Sequence, residues 1–144
     1  MPTIGTDCEV IIDGNGYFVK PGTYRLKQPR TRKAVVRLDN SESFVDLGPG
    51  KRTWSMIILC KNDTVKYDGS FSGQTGQAIR DQLRTTYATV GSNLSFTDPI
   101  GTVFSVHMDT YGELIVDLHT QQIPLSTAAS PGVSYEVAIE LVEV

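Results

Sequence analysis

"FTDPIGTVFSVHMDTYGELIVDLH", residues 96–119, holds three aspartates and two histidines in twenty-four positions. It also repeats Asp-x-x-Gly, at Asp98 to Gly101 and again at Asp109 to Gly112. Such a stretch can be a metal or catalytic cluster, a piece of a nucleotide site, or two turns joining three strands. The alternation of apolar residues decides between these. Period two places Leu94 and Phe96 on one face, then Phe104, Val106 and Met108, then Leu114, Val116 and Leu118. For these sets to share a face, Phe96 must oppose Phe104, and Met108 must oppose Leu114. Each pairing leaves a three-residue loop, Pro99-Ile100-Gly101 or Thr110-Tyr111-Gly112. Loops of that length end in a left-handed residue, which glycine accommodates best. An aspartate at the first turn position accepts from backbone N–H groups, and Pro99 sits where φ of about −65° is wanted. Asp98, Pro99, Gly101, Asp109 and Gly112 are therefore read as turn residues.

The same register moves the polar residues to the opposite face. His107 then opposes Ile115, His119 opposes Val103, and Asp117 opposes Ser105, diagonal to His107. A loose His107–Asp117 pair follows. Zinc needs three or four convergent ligands, and this face offers two weakly placed ones, so no metal site is expected. His107, Asp117 and His119 are expected at an interface instead.

Working outward, the rest of the chain is also strand-like. "CEVIID" and "YFVK" flank Asp13-Gly14-Asn15-Gly16, a hairpin signal. "TWSMIILC", residues 53–60, is apolar on both alternating faces, as a covered central strand would be. "VSYEVAIELVEV", residues 133–144, turns Val133, Tyr135, Val137, Ile139 and Leu141 inward and Ser134, Glu136 and Glu140 outward. One segment, residues 75–87, is helical: Ile79, Leu83 and Tyr87 form a single stripe, Ser72 or Thr75 can cap its start, and Gly91 follows its end. The fold class is mainly β, a β-sandwich or barrel of short antiparallel strands with one packed amphipathic α-helix. A length of 144 residues fits a single domain.

No apolar run reaches the roughly 18–20 residues that span a bilayer, and the opening "MPTIGTDCEVII" does not read as a signal peptide. Cys8 and Cys60 sit in apolar runs and read as buried thiols rather than a disulfide framework. Glycines Gly69, Gly73 and Gly76 precede the helix, but no Lys follows them and no Gly-x-Gly-x-x-Gly spacing appears, so a capped polar loop is expected. There is no Gly-x-Ser-x-Gly elbow, and no carboxylate pair is singled out for glycoside chemistry. The chain does not read as an enzyme, and no catalytic residue or cofactor is expected.

Charge is split along the chain. Nine of thirteen basic residues lie between Lys20 and Arg52, and the segment from Asp98 onward has seven acidic residues and no Lys or Arg. Residues 20–37 carry Lys20, Arg25, Lys27, Arg30, Arg32, Lys33 and Arg37 and no acid. Within them "QPRTRK", residues 28–33, is polar and contains Pro29, and reads as a loop. These seven cations are expected on an extended basic loop or arm that docks on a protein neighbour, with a merely solvated face as the bland alternative. Tyr17, Phe18 and Tyr24 nearby keep single-stranded nucleic acid as a competing partner, though the net charge of −3 disfavours it.

From residue 33 to residue 116 the order of features resembles small structural proteins of tailed bacteriophages. The carriers are "RLDNSESFVDLGPGKRTWSMIIL", a Gly/Ser loop, "AIRDQLRTTY", and "LSFTDPIGTVFSVHMD", with W-S-M and F-T-D-P-x-G as the motifs. Distal-tail and baseplate proteins look like this, and the tail-tube family shares a similar module. The resemblance implies a non-enzymatic ring or tube component of a virion, made in the host cytoplasm. Its partners would be copies of itself and other virion proteins, joined by strand addition and charge complementarity, with no membrane involved. A capsid decoration protein is the alternative within that class. A single-stranded nucleic-acid- or carbohydrate-binding β-module is the alternative from another.

Overall fold

The computed structural model describes residues 2–62, 64–117 and 134–144. Its strands in chain order are β1 (Val10–Ile12), β2 (Asn15–Val19), β3 (Arg25–Lys27), β4 (Arg30–Val36), β5 (Glu42–Pro49), β6 (Thr53–Cys60), β7 (Leu94–Thr97), β8 (Val103–Asp117) and β9 (Ser134–Glu143). The helix α1 (Gly76–Ala88) lies between β6 and β7. The fold is mainly β with one helix.

Strand β1 turns into β2 through Asp13 and Gly14, at φ of 51° and 82°. Ile12 opposes Asn15, so this is a two-residue hairpin with both central residues left-handed. β1 also pairs with β7, β7 with β8, β8 with β9, and β9 with β6. β6 returns to β2 through Phe18↔Leu59 and Val19↔Ile58, which closes the ring of antiparallel ladders. The architecture is a barrel, the second of the two forms the sequence allowed. β3 pairs with the other half of the same β6 edge, through Leu26↔Trp54.

Closure puts alternate side chains inside. Trp54, Met56, Ile58 and Cys60 of β6 are buried and face Leu141, Ile139, Val137 and Tyr135 of β9. The Trp54 ring lies 5.3 Å from that of Phe96 and 4.8 Å from that of Phe104, joining both sides of the barrel. Contacts of this kind contribute about 0.5–1.5 kcal/mol beyond area burial. The outward residues of β6, Ser55, Ile57 and Leu59, are only half covered. The strand is therefore central in the sheet but fully buried on one face only.

The helix begins at Gly76, where the Thr75 hydroxyl accepts from Ala78 N–H at 3.0 Å and the buried Asn62 side chain accepts from Gly76 N–H at 2.9 Å. Ile79 and Leu83 are buried against the barrel. Tyr87, expected in the same stripe, is partly exposed and stacks on Tyr111 at 5.4 Å.

The opening stretch divides in two. Phe96 opposes Phe104, and Asp98 Oδ1 accepts from Ile100 N–H at 3.1 Å and Thr102 N–H at 2.8 Å, with Gly101 at φ 99°. That is a three-residue loop. The second expected turn, Asp109 to Gly112, does not exist. β8 runs unbroken through it and pairs with β9 instead, and Leu114 opposes Glu136 rather than Met108. Asp109 is the extra residue of a β-bulge: Met108 pairs with Leu141, and Thr110 with the adjacent Glu140. One extra residue reverses the alternation. Met108 is inward before the bulge, and Tyr111 and Glu113 are inward after it, while Leu114 and Val116 are exposed. Leu118 and Val133 lie outside the described residues.

Candidate assembly interface

Strands β4 and β5 form a separate two-stranded sheet. Their register is Arg32↔Asp46, Lys33↔Val45, Ala34↔Phe44, Val35↔Ser43 and Val36↔Glu42. Directly opposite residues share a face, so Arg32, Ala34, Val36, Phe44 and Asp46 lie on one side. Lys33, Val35, Val45 and Leu47 lie on the other. Among the described residues neither side is covered: Phe44 is 67% exposed and Leu47 62%, and Leu38 at the tip is fully exposed. The two legs of the hairpin are closed at its root, where Gly50 N–H donates to the Pro29 carbonyl and the Gln28 amide to the Gly50 carbonyl.

The expected basic arm is thus relocated. "QPRTRK" is not a loop, since β4 begins at Arg30, immediately after the proline. A proline at that point removes no ladder hydrogen bond. The seven cations do not share one surface. Lys20 belongs to the barrel, with its amine 3.1 Å from Glu136 of β9. Arg25 and Lys27 are exposed on β3, opposite Ser55 and Thr53. Arg30, Arg32 and Lys33 are on β4, and Arg37 is in the tip turn, where its N–H donates to the Ser41 carbonyl.

Of these, Arg30 is committed to Asp46: its Nε lies 2.9 and 2.7 Å from the two carboxylate oxygens. That guanidinium, with the Gly48 N–H, holds Asp46 below the usual carboxylate range. Among the described residues, Arg25, Lys27, Arg32, Lys33 and Arg37 have no ion-pair partner.

The expected outer-face pair is not formed. His107 is exposed opposite Val142 of β9, and Asp117 pairs through its backbone with Ser134 at the far end of β8. Their partners on β9, Val142 and Ser134, are eight residues apart, roughly 27 Å at strand rise. Their pairing required the hairpin that the bulge replaces. His119 lies outside the described residues. Among the described residues no three His, Cys, Asp or Glu groups converge to hold a metal, and no helix is long and apolar enough to cross a membrane.

Reading the cations alone missed β5, which supplies the larger apolar groups. Its signal was present in "ESFVDLG", where apolar residues fall on both faces of a strand.

No protein-family model matches this chain, and no curated protein matches it in sequence.

Proposed function

We propose that the chain is a non-enzymatic structural subunit that assembles with copies of itself through the β4–β5 hairpin. We further propose the tail or baseplate of a phage virion, as a ring or tube component, for its setting. The hairpin carries the first part. A two-stranded sheet with no covering layer is marginally stable in water, and one with apolar side chains on both faces asks for a partner. Burying a side chain such as Phe44 or Leu47 contributes roughly 1.5–3 kcal/mol, so a few of them match an association cost of roughly 4–15 kcal/mol. An exposed ion pair contributes only about 0–1 kcal/mol. The apolar rows therefore drive the contact, and the unpaired cations select the partner and its orientation. The virion setting rests on the order of features from residue 33 to residue 116, and a decoration protein of the capsid would share the same hairpin.

Light scattering of the full chain at low and moderate salt tests the reading. A defined oligomer is expected. Replacing Phe44 and Leu47, or Arg30, Arg32 and Lys33, with Ser is expected to lower the mass and leave the barrel's melting temperature nearly unchanged. A persistent monomer that binds single-stranded oligonucleotide with a steep salt slope would replace assembly with nucleic-acid binding.

A further inference from the structure

Three rows of side chains cross the outer face of β6, β9 and β8. They are Ser55–Glu140–Thr110, Ile57–Ala138–Gly112 and Leu59–Glu136–Leu114. The middle row is low. Ala138 offers a methyl group, Gly112 offers nothing, and a Cβ placed at Gly112 would meet no atom within 4 Å. A trough results, lined by Ile57 and Ala138, with Arg25, Ser55 and Glu140 in one row along its side. A glycine inside a strand often marks close approach by another backbone, and no turn requires this one.

The charges around the trough are unevenly matched. Glu136 is held by Lys20, whereas Glu140 has no ion-pair partner among the described residues. On the Phe44 face of the hairpin the converse applies: Asp46 occupies Arg30, and Arg32 is left without an acid. The spacings correspond as well. Ala138 and Glu140 are two residues apart on one strand, and the Ala34–Phe44 pair and Arg32 are two residues apart on the hairpin. Both intervals are about 6.8 Å.

We propose that this trough receives the hairpin of a second copy of the chain, with Phe44 over Ala138 and Gly112 and Arg32 against Glu140. This rests on the assembly reading above and names its acceptor surface. The contact is head-to-tail, hairpin of one copy to barrel of the next, and closes into a symmetric oligomer when the rotation between copies permits.

The test uses the full chain, with sedimentation measured over a range of concentrations. Gly112→Trp sets an indole beside Ala138, where Phe44 would sit, and is expected to weaken self-association at least tenfold with the far-ultraviolet circular dichroism unchanged. Glu140→Arg and Arg32→Glu alone are each expected to weaken it at least fivefold, and the two together to restore most of the loss. That restoration decides the matter even if the Trp variant fails to fold. If wild type associates, Phe44→Ser abolishes association and both trough variants leave it intact, the trough is wrong and the assembly reading stands. If wild type is a monomer at every concentration, both fall.

Discussion

Arg84 Nη2 lies 2.6 Å from Glu113 Oε1, tying α1 to β8. The contact exists because the bulge at Asp109 has turned Glu113 inward; with unbroken alternation from Met108 it would face out. Arg80 Nη1 adds a second contact at 3.3 Å to the other carboxylate oxygen, and the Tyr111 hydroxyl donates to Oε1. Arg80 in turn lies over the Tyr135 ring at 4.7 Å. One irregular residue in a strand thereby positions the fastening of the helix.

The pH dependence of that fastening follows from Glu113. Burial pushes its carboxyl up, but the Tyr111 hydroxyl and the two guanidiniums outweigh burial and hold it below the usual range. A carboxyl lowered on folding stabilises fully above its unfolded pKa, about 4.3, and loses that contribution as pH falls through the folded value. Glu113→Gln is expected to destabilise by about 1–2 kcal/mol at pH 7. The gap to wild type should close as pH falls below about 4. Urea titrations of both proteins at pH 7 and pH 3 check this, and an equal gap at the two values would refute it.

Both thiols are protected. Burial, and then the charge of Glu113, push the Cys60 thiol up to about 12, and burial followed by Asp7 raises Cys8. Since the thiolate is the reactive species, a disulfide reagent at pH 8 should label the native chain at the rate of unfolding. Both groups should react at once in denaturant. Rapid labelling of the native protein would mean that the core around β6 opens readily.

Asp98 and Asp109 look alike in sequence and differ in the structure, so they should differ on substitution. Asp98→Ala removes the acceptor for two backbone N–H groups and is expected to destabilise by about 1 kcal/mol. Asp109→Ala alters an exposed bulge residue with no side-chain hydrogen bond among the described residues, and should stay within about 0.5 kcal/mol of wild type. Denaturant midpoints for the pair decide. Equal losses would argue for two turns after all.

What the sequence made legible was local. Asp13-Gly14 carries its own turn chemistry, Thr75 its own cap, and Asp98 to Gly101 its own loop. The inward set of β9 follows from alternation alone. Asp109-x-x-Gly112 satisfies the same local rules as its neighbour, yet the ladder to β9 offers more backbone hydrogen bonds than a turn, and that ladder is long-range. A bulge leaves no compositional mark, so the reversal of faces after Met108 was hidden, and Leu114 and Val116 were assigned inward. The hairpin was hidden for another reason. Alternation reports a covered face, and β5, with apolar residues on both faces and, among the described residues, cover on neither, reads the same as a buried strand. The trough needs the register of three strands before Gly112 can be seen beside Ala138.

Two glycines supply the sharpest check on this geometry. A Cβ at Gly16 would stand 2.7 Å from Cys8 Cβ and 2.8 Å from its sulfur, with Pro2 at 3.0 Å. The first of these is the root of a side chain and cannot swing aside, so Gly16→Ala should destabilise by about 1–3 kcal/mol. Cys8→Gly, which removes the obstructing carbon and sulfur, should recover part of that loss in the double variant. Gly112→Ala meets nothing and restricts the unfolded chain, so in dilute monomeric protein it should be neutral or stabilising by up to about 1 kcal/mol. Chemical denaturation of the three variants at low protein concentration reads all of these. A loss at Gly112 comparable to that at Gly16 would mean that the outward side of β8 is already filled, and the acceptor trough would go with it.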